Sequence, residues 1–405
     1  MRKLGLLFLL HIAVSLHAQG VKYNFIDANY ANLYLPGNDS TRLNRFFQKV
    51  DTFLQSGEGR INILHIGGSH VQADFISHEV RQRLDALNGN YQTPRGLIFP
   101  FSVAKTNNPQ NYKVTYSGEW QTARNIQRNR IVPLGMSGIA VYTSDSTAQI
   151  SLSLNRDGSS RWSFTQLRLL GAVADGSQGV APALFYPQDT IVGEWEVESN
   201  SYLFHLSAPQ DSFQINFIQQ DTIPHTFIVN GFLPENDEAG IVYHAIGVNG
   251  ASVSSYLGCE NFEAELPLIY PDLVVFAIGI NDASGKTFDP DFFHSQYNLL
   301  IEKIKRVNPD CAFIFITNND SYRRIARKKY AVNTNGKHAR NVFYQLAEEH
   351  QGGVWDLFEW MGGLKSMQKW QNAGLASRDK IHFNKDGYLM IGSQFYNALI
   401  NYFNE

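Results

Sequence analysis

The sequence predicts an α/β chain whose parallel sheet is covered by helices on both faces and interrupted by a β-sandwich. Three observations carry this. Five short apolar runs, Ile61 to Ile66, Ile241 to Ile246, Leu273 to Ile278, Ala312 to Thr317 and Val354 to Leu357, have the length and side-chain types of buried strands. Between and after them, apolar residues recur at spacings of three and four, as Ala73, Ile76, Val80, Leu84 and Leu87 do. From about Gly96 to Glu235 that period vanishes and alternation of apolar with polar residues replaces it.

In chain order, Arg2 and Lys3 precede a mostly apolar stretch from Leu4 to Leu16 and a small-residue site at Ala18. This reads as a signal peptide over 1–18, too short for a comfortable membrane span. It implies an exported product, periplasmic or secreted, with no stable membrane insertion after signal removal. Residues 19–60 form an extension. Its Leu43, Phe46, Phe47, Val50, Phe53 and Leu54 mark an amphipathic helix packed on the main domain.

The α/β domain is predicted to be discontinuous, over 61–95 and 236–405. The insert, 96–235, reads as a β-sandwich on alternations such as Ala148, Ile150, Leu152, Leu154 and Phe213, Ile215, Phe217. Its two readings are a structural module and a glycan-binding one, which exposed Trp or Tyr would support. After the insert, Phe293, Tyr297, Leu300, Ile301 and Ile304 mark a second helix face, and Tyr388, Ile391, Phe395, Leu399 and Tyr402 a last one.

Composition excludes some classes. With 405 residues, 43% hydrophobic and 18% charged, the chain is globular, and a formal charge of −3 gives no reason to expect nucleic acid. Cys259 and Cys311 are the only cysteines. They read as two buried thiols or, with less weight, as a disulfide. No CxxC or HExxH pattern exists, and His65, His70 and His78 read as packing residues. The basic run Arg323, Arg324, Arg327, Lys328 and Lys329 reads as a solvated helix face, with a gate for an anionic glycan as the sharper alternative.

The chemistry-bearing residues fall where an open α/β sheet places its functional loops. Ser69 follows Gly67 and Gly68 at the end of the first strand and the start of a helix. There its hydroxyl is exposed and its N–H is a free helix-start donor, although an N-cap role would satisfy the same pattern. Near the C-terminus, Asp379 stands three residues before His382, ahead of the last helix. An acid so placed can orient an imidazole whose other nitrogen takes a serine proton.

Four blocks in order resemble the SGNH (GDSL-like) hydrolase family: Ile66-Gly67-Gly68-Ser69-His70, Gly247-Val248-Asn249-Gly250, Gly279-Ile280-Asn281-Asp282 and Asp379-Lys380-Ile381-His382. The resemblance implies a three-layer α/β/α, flavodoxin-like domain. It implies Ser69 as nucleophile, His382 as base and Asp379 as its orienting acid. The oxyanion hole would be the N–H groups of Ser69 and Gly250, with Gly247 as the fallback, and the amide of Asn281. No cofactor or metal is implied. The insert position, the stretch Trp355-Asp356-Leu357-Phe358-Glu359-Trp360-Met361-Gly362-Gly363 and Trp370 resemble the peptidoglycan O-acetylesterases of that family, which carry a carbohydrate-binding-like insert. The implied substrate is an O-acetylated polysaccharide or peptidoglycan. An O-acetyltransferase on the same glycans and a catalytically silent glycan-binding protein remain as alternatives. One departure stands out: the family has aspartate where this chain has Gly68.

Overall fold

The computed structural model describes residues 23–404 except 38, 90, 159, 186–189 and 328. The predicted signal peptide lies outside the described residues. Five strands, β1 (Arg60–Gly67), β2 (Gly240–Gly247), β3 (Leu273–Ala277), β4 (Ala312–Ile316) and β5 (Gly353–Trp355), form an all-parallel sheet. Their order is β2-β1-β3-β4-β5, the doubly wound flavodoxin-like arrangement. Alternate residues serve opposite faces. Ile61, Ile63, Leu273, Val275 and Ile314 enter one core, whereas Leu64, Ile66, Val274, Phe276 and Phe313 enter the other.

Six helices matter for the site: α1 (Thr41–Ser56), α2 (Ser69–Gln72), α3 (Phe75–Asp85), α4 (Pro290–Val307), α5 (Asn335–Glu349) and α6 (Lys385–Asn404). Helix α1 buries Leu43, Phe46, Phe47, Val50 and Phe53 and stops at Gly57, whose φ of +71° a side chain would resist. Helices α1, α3 and α6 cover the first face and α4 and α5 the second. Helix α4 starts as its sequence dictates: Asp289 accepts the Phe292 N–H at 3.0 Å, and Pro290 takes the first helical position.

The insert forms two antiparallel sheets. The six-stranded one runs Gln121–Arg124, Ile139–Thr143, Phe227–Glu235, Phe164–Val173, Ser201–Gln210, Glu194–Glu196. The five-stranded one runs Lys113–Ser117, Gln149–Ser153, Ser212–Gln219, Val180–Phe185, Thr190–Val192. Their inner faces meet through Phe213 on Phe232 and Phe217 on Phe227, with ring centroids 4.8 and 5.0 Å apart. The sequence showed the central strands of this sandwich and missed others. Lys113–Ser117 is exposed at four of five positions, and Ile139–Thr143 is buried throughout, so neither alternates.

The insert is welded to the α/β sheet. Leu97, Phe99, Ile139 and Phe232 lie in the same core as Leu64, Ile66 and Phe276. Buried polar groups cross the junction as well. Asp74, at the start of α3, accepts from Arg95 at 2.5 Å, Asn111 at 2.7 Å and Arg81 at 3.3 Å. Burial raises the pKa of its carboxyl, but the Arg81 and Arg95 guanidinium groups outweigh that and hold it at about 2. From the other side, Glu265 reaches into the insert and accepts from Met136 N–H at 2.7 Å and the Asn230 amide at 3.1 Å.

Two readings of the sequence need adjustment. The basic run is a two-stranded hairpin, Tyr322–Ala326 with Lys329–Val332, and not a helix face. Tyr322, Arg324 and Ile325 alternate poorly, and the pairing follows from a turn around Arg327 that no glycine or proline announces. Cys259 and Cys311 are both buried free thiols, which removes the disulfide alternative.

Candidate active site

Ser69 sits at the carboxyl end of β1, and two glycines let it do so. A Cβ on Gly67 would lie 2.2 Å from the Val71 side chain, and one on Gly247 would lie 2.4 Å from the Gln72 nitrogen. Only bare backbone lets α2 approach β1 and β2 this closely. Gly68 has φ −102° and accepts the N–H of Gln72 through its carbonyl at 3.0 Å.

The residues predicted to form the triad are brought together across 313 positions of sequence: Ser69 Oγ lies 2.7 Å from His382 Nε2. His382 Nδ1 lies 2.6 Å from Asp379 Oδ2. The other Asp379 oxygen accepts the N–H groups of Ile381 and His382, both at 3.0 Å. Burial raises the Asp379 pKa, but the hydrogen bonds from the His382 ring and these N–H groups prevail and hold it at about 2. The carboxylate therefore stays ionised and fixes the ring with Nε2 toward the serine.

The site is open. The His382 and Asp379 side chains keep 37% and 45% of their surface exposed, so water reaches the reacting groups. The triad loop nevertheless rests on a firm floor. Phe383 packs edge-on against Trp370 at 5.1 Å, Trp370 donates its indole N–H to Met361 O at 2.9 Å, and Trp360 packs on Trp355 at 5.5 Å. The tryptophan-rich stretch noted in the sequence is this floor. Asn319, after β4, donates to Ile381 O at 3.0 Å.

Asn281 follows β3, and its amide donates to Ala251 O at 2.9 Å. It stands beside the nucleophile turn, since a Cβ on Gly68 would lie 3.4 Å from its Nδ2. Gly250, with φ +85°, sits in the turn closed by Ala251 N–H on Val248 O at 2.9 Å. Gly247, the fallback, is spent as a strand residue paired with Gly67 under that turn. Three loops from β1, β2 and β3 thus converge on one place.

Sequence reasoning missed several supporting residues. Buried Gln72 accepts the Asn249 N–H at 2.7 Å and donates to Thr106 Oγ1 at 3.1 Å and Asn107 Oδ1 at 3.0 Å. It ties the nucleophile helix, the Gly250 turn and the insert together. Ile126 of the insert stands over Gly250, where a Cβ would meet it at 3.8 Å. His70 contacts Tyr388 Oη at 2.9 Å, and burial pushes its pKa down to about 3, so this second imidazole stays neutral beside His382. None of these has a local sequence signature, because each acts across segments distant in the chain. Among the described residues no cluster of three His, Cys, Asp or Glu could hold a metal ion, and no helix is long and apolar enough to cross a membrane.

The sequence model of the GDSL-like Lipase/Acylhydrolase family matches residues 228–390. The matched stretch holds Gly250, Asn281, Asp379 and His382 and leaves out Ser69, which the insert separates from them. A solved structure of a peptidoglycan O-acetylesterase is similar over 92% of this chain and 99% of its own, with 21% identity and a TM-score of 0.72. An acetyl xylan esterase matches over 40% of this chain and 82% of its own, at 22% identity and a TM-score of 0.31. A lipase/acylhydrolase from Enterococcus faecalis matches over 41% of this chain and 77% of its own, at 21% identity and a TM-score of 0.31. A comparison with curated protein sequences finds no match. Residues 228–390 are thus similar to the GDSL-like Lipase/Acylhydrolase family, and the chain as a whole shares its fold with a solved peptidoglycan O-acetylesterase.

Proposed function

We propose that the protein is an exported serine esterase that removes O-acetyl groups from a cell-envelope glycan, peptidoglycan first among the candidates. The observation that carries this is the Ser69–His382–Asp379 chain of hydrogen bonds, 2.7 and 2.6 Å long, at the carboxyl edge of the sheet. Ser69 attacks the acetyl carbonyl as His382 Nε2 takes its proton, and Asp379 stabilises the imidazolium. The N–H groups of Ser69 and Gly250 and the Asn281 amide receive the oxyanion. His382 returns the proton to the sugar oxygen, and water, activated by the same imidazole, releases acetate. The exposure of His382 and Asp379 favours water over a sugar hydroxyl as the acceptor, hence hydrolysis over acetyl transfer.

The structural likeness to a peptidoglycan O-acetylesterase supports the choice of polymer. So does a groove of about 890 Å³ in the insert, bordered by Lys105, Tyr116, Trp120, Gln121 and Tyr142, whose aromatic faces suit sugar rings. Export rests on the N-terminal sequence, and maturation near Gln19 is checked by intact mass of the exported protein. The deciding experiment is acetate release from O-acetylated peptidoglycan, acetylated xylan and an aryl acetate, with Ser69→Ala as blank. Release from peptidoglycan well above the other two supports the proposal. Wild type equal to the blank on all three overturns it.

A further inference from the structure

The basic hairpin borders the cleft, because it is bonded to both loops that build it. On one side the Tyr322 N–H donates to Lys380 O, inside the triad loop, at 3.0 Å. On the other, Arg323 Nη1 donates to Gly285 O, in the loop that begins with Asn281, at 2.9 Å. Just beyond the hairpin, the Asn335 amide reaches the carbonyls of Ala283 and Gly285 at 3.1 and 3.0 Å. Lys380 lies over the rings of Tyr322 and Tyr330, 4.7 and 5.7 Å from their centroids, which locks the hairpin against the triad loop.

The charge on this rim is one-sided. Arg324, Arg327 and Lys329 are exposed, and none has an acidic partner among the described residues. Exposed Lys286 and Arg378 extend the same sign on the adjoining loops. Within segments 285–286, 322–329 and 378–380 the only acid is Asp379, and it is committed to His382. The nearest acid in sequence, Asp320, is buried and accepts the Met367 N–H. The whole chain carries −3, so this rim is a local concentration of positive charge and not a general property. Crowding like charges disfavours the folded state, and a polyanion laid across them relieves that repulsion. Arginine forks suit carboxylates, which they grip with two parallel hydrogen bonds.

We propose that the hairpin is a subsite for a carboxylate-bearing glycan strand, which it holds while an acetyl ester of the same strand lies at Ser69. The placement of the acetyl group rests on the esterase reading; the binding of the strand does not. Two sources offer this chemistry, the lactyl and peptide-stem carboxylates of peptidoglycan and the uronates of an acidic polysaccharide. A neutral acetylated glycan would use the triad without the hairpin.

The test uses full-length Ser69→Ala protein, so that binding is read apart from hydrolysis. Its affinity is measured for peptidoglycan sacculi and for polygalacturonate, each native and with carboxylates converted to neutral amides. A triple variant, Arg324→Gln, Arg327→Gln and Lys329→Gln in the same background, is measured beside it, with its melting temperature to verify folding. We expect binding to at least one native polymer to fall tenfold or more on amidation and on the triple substitution, and to weaken steeply with salt. The polymer that responds identifies the source. Binding unaffected by amidation of both polymers, or unaffected by the triple substitution, overturns the proposal. In the active enzyme, the triple substitution should reduce kcat/KM on the responding polymer at least tenfold more than on an aryl acetate. Equal losses on both also overturn it. Absence of esterase activity would defeat the esterase reading and leave the binding result standing.

Discussion

The side-chain oxygen of Gln72 accepts the backbone N–H of Asn249 at 2.7 Å, joining the helix that starts with the nucleophile to the turn that carries Gly250. Removing the buried amide leaves the Asn249 N–H, Thr106 and Asn107 without that partner and frees the Gly250 turn. We expect Gln72→Ala to lower kcat on an aryl acetate by about ten- to a hundredfold, as a displacement of about 1 Å would. The melting temperature should fall with a stability loss of about 1–3 kcal/mol. A KM-against-kcat split checks the positioning role: a rise in KM alone would contradict it.

Ser69→Ala and His382→Ala are each expected to remove nearly all esterase activity, and Asp379→Ala somewhat less. Members of one catalytic unit are not additive, so Ser69→Ala with His382→Ala should be little worse than either alone. Asn281→Ala should cost about a hundredfold or more in kcat if its amide receives the oxyanion. Steady-state kinetics on an aryl acetate reads all five variants.

Gly68→Asp should fold and raise kcat severalfold. The backbone φ of −102° is open to side chains, and the nearest atom to a Cβ there is Asn281 Nδ2 at 3.4 Å, an ordinary contact. A carboxylate on that Cβ lies within reach of the Asn281 amide and would restrict both the amide and the nucleophile turn. Reduced kcat with unchanged melting temperature would show that the glycine is preferred for catalysis.

Glu265 makes stability depend on pH. Burial pushes its pKa up from 4.5 to about 7, against the Met136 N–H and the Asn230 amide, which favour the ionised form. The folded state therefore holds this proton more tightly than the unfolded chain does. Its contribution is complete below pH 4.5 and is lost as pH rises to about 7, a change of about 3 kcal/mol. Glu265→Gln should flatten this part of the stability curve and raise the melting temperature at pH 8. The Asn230 amide can turn its otherwise unpartnered oxygen toward the new donor. Asp74 acts in the opposite direction, with stability present above pH 4 and lost as pH falls toward 2.

Excision of residues 96–235 should abolish activity on small and polymeric esters alike and leave an insoluble product. As a removable binding module, the insert would spare aryl acetate activity. Its shared core, its bonds from Thr106 and Asn107 to Gln72 and its Ile126 over Gly250 argue otherwise. Soluble excised protein with full aryl acetate activity would refute this.

Much of the fold and of the site was legible in the chain because local rules and local chemistry coincided. The five parallel strands were readable as apolar runs, and Ser69, Asn281, Asp379 and His382 stand at strand ends or before a helix. What stayed hidden depends on partners far away in sequence. Gln72 sits in a helical pattern like any polar residue, and its bond to Asn249 spans 177 positions. Ile126 carries no local signal, and only the fold sets its exposed side chain beside Gly250. The basic run carries no turn signal, so its hairpin pairing emerges only when Lys380 and Gly285 hold it from two sides.

The neighbouring strands β1 and β2 pair from Arg60 with Gly240 to Gly67 with Gly247, and the whole insert lies between them in sequence. For a chain made from its N-terminus, β1 emerges long before either strand that flanks it, β2 or β3. Its unpaired backbone edges must wait for β2 and β3, and closing so long a loop slows the step that completes the sheet. The nucleophile turn, which depends on Gly247 lying beneath it, becomes organised only in that step. On the esterase reading, assembly of the Ser69 site therefore depends on late closure of the sheet across the whole length of the insert.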